Sequence, residues 1–135
     1  MKTFVWLNLF VVCVQQICCA PIQNPSSKSQ VEVTVELAKS TGPTNTYTLE
    51  FTNLSYKMLC QVKFRVELPE TATLVKYWNL SPVSGTTDHF TLPDHEQISP
   101  GQAFAYAGIK VNGVGEPKIT ILDTVKVLST KRCPF

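Results

Sequence analysis

Over residues 60–68 apolar and polar side chains alternate without a break: Cys60, Val62, Phe64, Val66 and Leu68 are separated by Gln61, Lys63, Arg65 and Glu67. Only an extended backbone sends every second side chain to the same side, so this stretch reads as a strand with one face in a core and one in water. Pro69 closes it, because proline brings no N–H to a ladder. The same period governs Val31, Val33, Val35 and Leu37 against Glu32, Thr34 and Glu36, and Tyr47, Leu49 and Phe51 against Thr48, Glu50 and Thr52. Residues 90–92, 103–111 and 118–128 read as further strands. Residues 71–80 are β-branched and aromatic with a mixed pattern, as expected of a strand partly covered on both faces.

Turn-forming residues fall between these segments: Gly42-Pro43 within 40–45, then 53–57, Pro82 and Gly85 within 81–88, Ser99-Pro100-Gly101, and the Gly-rich 112–117. No segment carries apolar residues at helical spacing over helix length. Some seven or eight strands with turns every eight to twelve residues predict an all-β fold, a two-sheet antiparallel β-sandwich of immunoglobulin or fibronectin-like type, with an open barrel as the alternative.

The start of the chain sets the compartment. Met1-Lys2-Thr3 is a short positive opening, an apolar run broken only by Asn8 covers 4–14, and the small residues Cys18, Cys19 and Ala20 follow Gln15-Gln16. That order is that of a secretory signal peptide, and a run of about eleven residues is too short to cross a bilayer as a helix. The expected organisation is a signal peptide at 1–20, a polar linker at 21–29 and a sandwich module at 30–135, secreted and extracellular, with no membrane association after signal removal. Loss of the leader removes Cys13 and, depending on the cut, Cys18 and Cys19, leaving Cys60 and Cys133. In an oxidising compartment the pair points to one disulfide; a buried free Cys60 beside a reactive Cys133 is the alternative. Asn53-Leu54-Ser55 and Asn79-Leu80-Ser81 are glycan acceptor sequences, and Asn53, at a strand end, is expected to tolerate a glycan easily.

Composition excludes more than it assigns. A formal net charge of +2 with scattered basic residues gives no nucleic-acid groove. The two histidines, His89 and His95, lie six apart across Pro93 with Asp88, Asp94 and Glu96 nearby, which reads as a polar loop rather than a metal site. No nucleophile, zinc, phosphate or calcium motif occurs, and Gly113-Val114-Gly115 opens no helix. Glu32, Glu36, Glu50 and Glu67 sit on outward faces, where they are solvated charges rather than a glycosidase pair across a cleft. The chain is therefore expected to be neither an enzyme nor cofactor-dependent.

The aromatics remain. A flat exposed ring stacks on the C–H face of a pyranose and buries area without a deep pocket. Tyr77 and Trp78 are adjacent and, on a strand, face opposite ways, so one belongs to the core and the other to the surface. Phe51, Phe64 and Phe104 read as core; Tyr47, Tyr56, Phe90 and Tyr106 fit either place.

The run Asn45-Thr46-Tyr47-Thr48-Leu49-Glu50-Phe51-Thr52-Asn53-Leu54-Ser55 resembles the second-strand signature of the family 49 carbohydrate-binding modules. Trp78-Asn79-Leu80 is similar to that family's Trp-led segment. Phe90-Thr91-Leu92-Pro93, Ile98-Ser99-Pro100-Gly101-Gln102-Ala103-Phe104-Ala105-Tyr106, Gly108-Ile109 and Ile119-Thr120-Ile121 follow in the family's order. The similarity runs over about 31–128. The resemblance implies a free-standing, non-catalytic β-sandwich that binds cellulose or a related β-glucan, with Trp78 first among the stacking rings and then Tyr47, Phe90 and Tyr106. The chain departs from the family pattern at His95, where a tryptophan is common, and at Ala107, where a glycine is usual and Gly108 stands one place later. An extracellular structural or protein-interaction module with matrix or cell-wall partners is the alternative.

Overall fold

In the computed structural model, which describes residues 30–135, the alternating segments become eight strands and no helix. They are β1 (Val31–Thr41), β2 (Thr44–Asn53), β3 (Met58–Glu67), β4 (Thr73–Trp78), β5 (Ser81–Pro82), β6 (His89–Thr91), β7 (Ala103–Asn112) and β8 (Lys118–Val127). The expected signal peptide and linker, residues 1–29, lie outside the described residues. Two four-stranded sheets form, sheet I in the order β1-β2-β7-β4 and sheet II in the order β5-β6-β3-β8, with every pairing antiparallel. The chain is a β-sandwich.

Each sheet turns its alternate apolar residues inward. Sheet I contributes Leu49, Phe51, Ile109 and Val111; sheet II contributes Val62, Phe64 and Val66. An aromatic chain crosses the interior, with Phe51 and Phe64 rings 4.9 Å apart, Phe64 and Phe90 6.1 Å, and Phe90 and Tyr77 5.1 Å. Each such contact adds roughly 0.5–1.5 kcal/mol beyond its buried area.

Three departures from simple alternation have local causes. Leu59 and Cys60 are both buried because β3 carries an extra residue between the pairs Leu59–Lys126 and Gln61–Val125. The turn after β1 is tighter than 40–45, since pairing continues to Thr41–Thr44 around Gly42, which takes a φ of 61°. Residues 71–80 yield only the six-residue β4, and Thr73, Val75, Lys76 and Tyr77 are exposed rather than covered on both faces. β4 is the edge of sheet I, bonded only to β7, so its outer side has no neighbour to bury it.

Cys60 and Cys133 form a disulfide with Cα atoms 5.5 Å apart, fastening the C-terminal segment to β3. It closes a separation of 73 residues, which on the chain-entropy view contributes about 4 kcal/mol.

Asn53 corrects an expectation. Its side chain is 0% exposed, and Nδ2 donates both hydrogens, to the carbonyls of Lys57 and Ile98 at 2.8 Å each. Its Oδ1 accepts from the Ser55 N–H at 3.0 Å and from Ser55 Oγ at 2.7 Å. The backbone is tied as well, to Gln102 and Gly101. The expected glycan acceptor is a buried bracket between the end of β2 and the 98–102 loop, and this fold leaves no room for a sugar on its nitrogen.

Candidate functional site

Strand register decides which rings reach the surface. In β7 the buried residues Ala107, Ile109 and Val111 alternate with Tyr106, Gly108 and Lys110, which point away from the core. β4 pairs Trp78 with Gly108, Tyr77 with Ile109 and Lys76 with Lys110. Trp78 is therefore on the outer face of sheet I, while Tyr77 turns toward Phe90. The opposite orientations follow the sequence expectation, but the simple division into core and surface does not: Tyr77 is still 39% exposed at the sheet edge, and Trp78 is partly covered.

What covers Trp78 is the sheet beneath it. A Cβ placed on Gly108 would lie 1.9 Å from the indole Cζ2 and 2.3 Å from Cε2, so the six-membered ring rests on the bare backbone of β7. Any other residue at 108 lifts the ring. The displaced glycine at 108 is thus the seat of the tryptophan. Sequence reading alone does not connect two residues thirty positions apart; the β4–β7 pairing does.

Asn79 follows Trp78 with a φ of 53°, and its Nδ2 donates to the Tyr106 carbonyl at 2.7 Å. This bond ties the end of β4 to β7 and fixes the backbone next to the indole. Asn79 is exposed. Tyr106 is 73% exposed and meets Phe104 edge-on at 5.6 Å. Its exposure comes from a bulge: β2 residues Leu49 and Phe51 pair with Ala107 and Phe104, leaving one extra residue in β7.

The other two expected platform rings are internal. Tyr47 is 6% exposed, with its hydroxyl 3.4 Å from the Gly115 carbonyl, and Phe90 is 2% exposed among Phe64 and Tyr77. Both belong to the core, because Tyr47 shares its face with Leu49 and Phe51, and β6 pairs Phe90 with the inward-facing Phe64. Phe51, Phe64 and Phe104 are buried. Tyr56, in the turn after β2, is 75% exposed and carries the Lys57 ammonium 5.9 Å from its ring centre.

His95 sits exposed in the turn 93–96 with a φ of 72°, where Glu96 N–H donates to the Pro93 carbonyl. It does not share a site with His89, whose Nε2 lies 3.7 Å from Asp88 Oδ1. Among the described residues no group of three or more His, Cys, Asp or Glu side chains could hold a metal ion.

A cleft of about 510 Å³ opens on the β4 edge of the sandwich, between the Thr73 end of β4 and the Asp88 end of β6, with Val66, Leu68 and Leu74 in its wall. Its two carboxylates both face Arg65, Asp88 at 2.8 Å and Glu67 at 3.5 Å. Two acids bound to one guanidinium are not a general acid opposite a base. Glu32, Glu36 and Glu50 are exposed on sheet I.

No protein-family model and no curated protein matches the sequence, so the likeness to family 49 rests on motif order alone. Among solved structures, the fold is similar to the chitin-binding domain of a hyperthermophilic chitinase from Pyrococcus furiosus, with a TM-score of 0.42 and 19% identity, over 73% of this chain and 95% of that one. It is also similar to part of a GH20 exo-β-N-acetylglucosaminidase from Vibrio harveyi, with a TM-score of 0.43 and 14% identity, over 74% of this chain and 18% of that one. Similarity at this level carries no argument about ligand or activity.

Proposed function

We propose that this chain is a secreted, non-catalytic carbohydrate-binding module that takes a polysaccharide on the outer face of sheet I, stacked on Trp78. One observation carries the reading: a partly exposed indole packs directly against a glycine backbone, held there by strand pairing. A ring held against a sheet loses little freedom when a sugar settles on it, which lowers the ordering cost that weakens shallow sites. Asn79 and the exposed Tyr106 stand beside it with polar groups for sugar hydroxyls. The motif order shared with family 49 points to cellulose or a related β-glucan as ligand. The Cys60–Cys133 disulfide agrees with an oxidising, extracellular setting.

A second reading, an extracellular protein-interaction module, draws support from the burial of Tyr47 and Phe90, which leaves two surface rings where four are expected. Retention on a panel of polysaccharides beginning with insoluble cellulose and chitin separates the two. Under the carbohydrate reading the wild type is retained and Trp78→Ala is released with its melting temperature little changed. Equal behaviour of wild type and variant, or passage of the wild type through every polysaccharide, excludes sugar stacking on this face.

A further inference from the structure

Beside the indole lies a second feature that simple stacking does not use. β4 and β7 set Lys76 directly opposite Lys110, β7 and β2 set Lys110 opposite Thr46, and β1 sets Lys39 opposite Thr46. Paired residues share a face, so Lys39, Thr46, Lys110 and Lys76 form one row across the outer face of sheet I, adjacent to the row that holds Gly108 and Trp78. All three lysines are exposed. Among the described residues none of them has a carboxylate within ion-pair distance.

Like charges directly opposite in a ladder repel and destabilise it, and other sheet positions in this chain avoid the arrangement. On sheet II the exposed Arg65 stands against Asp88 and Glu67, and Lys118 reaches Glu67 at 4.0 Å. The acidic residues of sheet I stand away from the lysine pair: Glu36 is on β1, two strands from β7, a spacing of about 10 Å. Glu32 and Glu50 are farther toward the opposite end of the sheet.

Resting on the carbohydrate reading above, we infer that this face selects an acid-bearing polysaccharide over a neutral one: the pyranose stacks on Trp78, and its carboxylate or sulfate group lies between the ammonium groups of Lys76 and Lys110. The spacing fits. Two residues along a strand are about 7 Å, so both lysine stems start one sugar substituent away from the indole. No cation lies over the Trp78 ring among the described residues, and the residue stays partly exposed. An anion there would relieve the repulsion between the two lysines as it binds, and Lys39, further along the row, would meet a neighbouring acid group of the same chain.

The test is affinity electrophoresis of the mature chain through gels containing polygalacturonate, which carries carboxylates, dextran sulfate, which carries sulfates, or neutral hydroxyethylcellulose. A parallel mobility shift uses double-stranded DNA. The expected result is retardation by at least one acidic polysaccharide about tenfold stronger than by the neutral one, weakening with salt. Lys76→Ala combined with Lys110→Ala removes that preference and leaves neutral binding as it was, while Trp78→Ala reduces both. Which acidic gel retards the chain tells carboxylate from sulfate. Neutral binding equal to acidic binding, or an unaffected double lysine variant, overturns the inference and leaves the stacking reading intact. Acidic binding that survives Trp78→Ala, or equal retardation by DNA, shows a non-specific polyanion surface and overturns it as well. No retardation by any polysaccharide ends both readings. Melting curves check that the variants fold, and removing the repelling pair is expected not to lower the transition.

Discussion

The two outer faces of this sandwich treat charge in opposite ways. On sheet II, Arg65, Asp88, Glu67 and Lys118 form a mesh of ion pairs at 2.8 to 4.0 Å. On sheet I, three lysines stand in a row with no ion-pair partner among the described residues, beside an indole packed on a glycine. Sheet II carries its opposite charges side by side. Sheet I keeps groups that gain when something else arrives. A face left uncompensated at some expense in stability is where a ligand is to be sought, and strand register, not composition, makes it so.

The largest effect lies in the fastening of sheet II: Cys60→Ser with Cys133→Ser should lower stability by about 4 kcal/mol, read by chemical denaturation, while the folded fraction keeps its ligand retention. Next comes the bracket at the end of β2. Asn53→Ala removes four hydrogen bonds at once, to the Lys57 and Ile98 carbonyls and from the Ser55 N–H and hydroxyl, a loss of about 2–3 kcal/mol for a broken buried network. Mass spectrometry of chain from a glycosylating host should find no sugar on Asn53. On sheet I, Gly108→Ala should lift the indole from β7, shift the fluorescence of Trp78 and weaken retention by about 1 kcal/mol, with a smaller change in melting temperature. An unchanged spectrum would mean that the glycine is not the seat of the ring. The smallest effect belongs to the ion pairs of sheet II. Arg65→Ala should alter stability by about 0.5 kcal/mol and leave polysaccharide retention untouched; a loss of binding there would move the site to the cleft at Asp88.

Much of the fold is legible in the chain. β1, β2 and β3 carry period two over most of their length, and the turns announce themselves through Gly42-Pro43, Pro69 and Pro100-Gly101. Less of the site is. Residues 71–80 give a mixed pattern because β4 is an edge strand, where neither face is uniformly buried, so Tyr77 and Trp78 cannot be sorted from their neighbours alone. Tyr47 and Phe90 look like surface candidates among aromatics of ambiguous place, and only their partners, Leu49 and Phe51 on one strand and Phe64 across the ladder, draw them inward. Asn53 has the local signature of a glycan site, and the carbonyl of Ile98, 45 residues away, turns it into a buried anchor.

That this chain makes strands, where they turn and which residues of each strand travel together can be read from the residues alone, because side-chain alternation is a property of one strand. Which strands lie side by side cannot be read that way. Tertiary pairing seated Trp78 on Gly108, set Lys76 against Lys110 and enclosed Asn53, because those relations join residues far apart in the chain whose contact depends on the order and register of neighbours in a sheet.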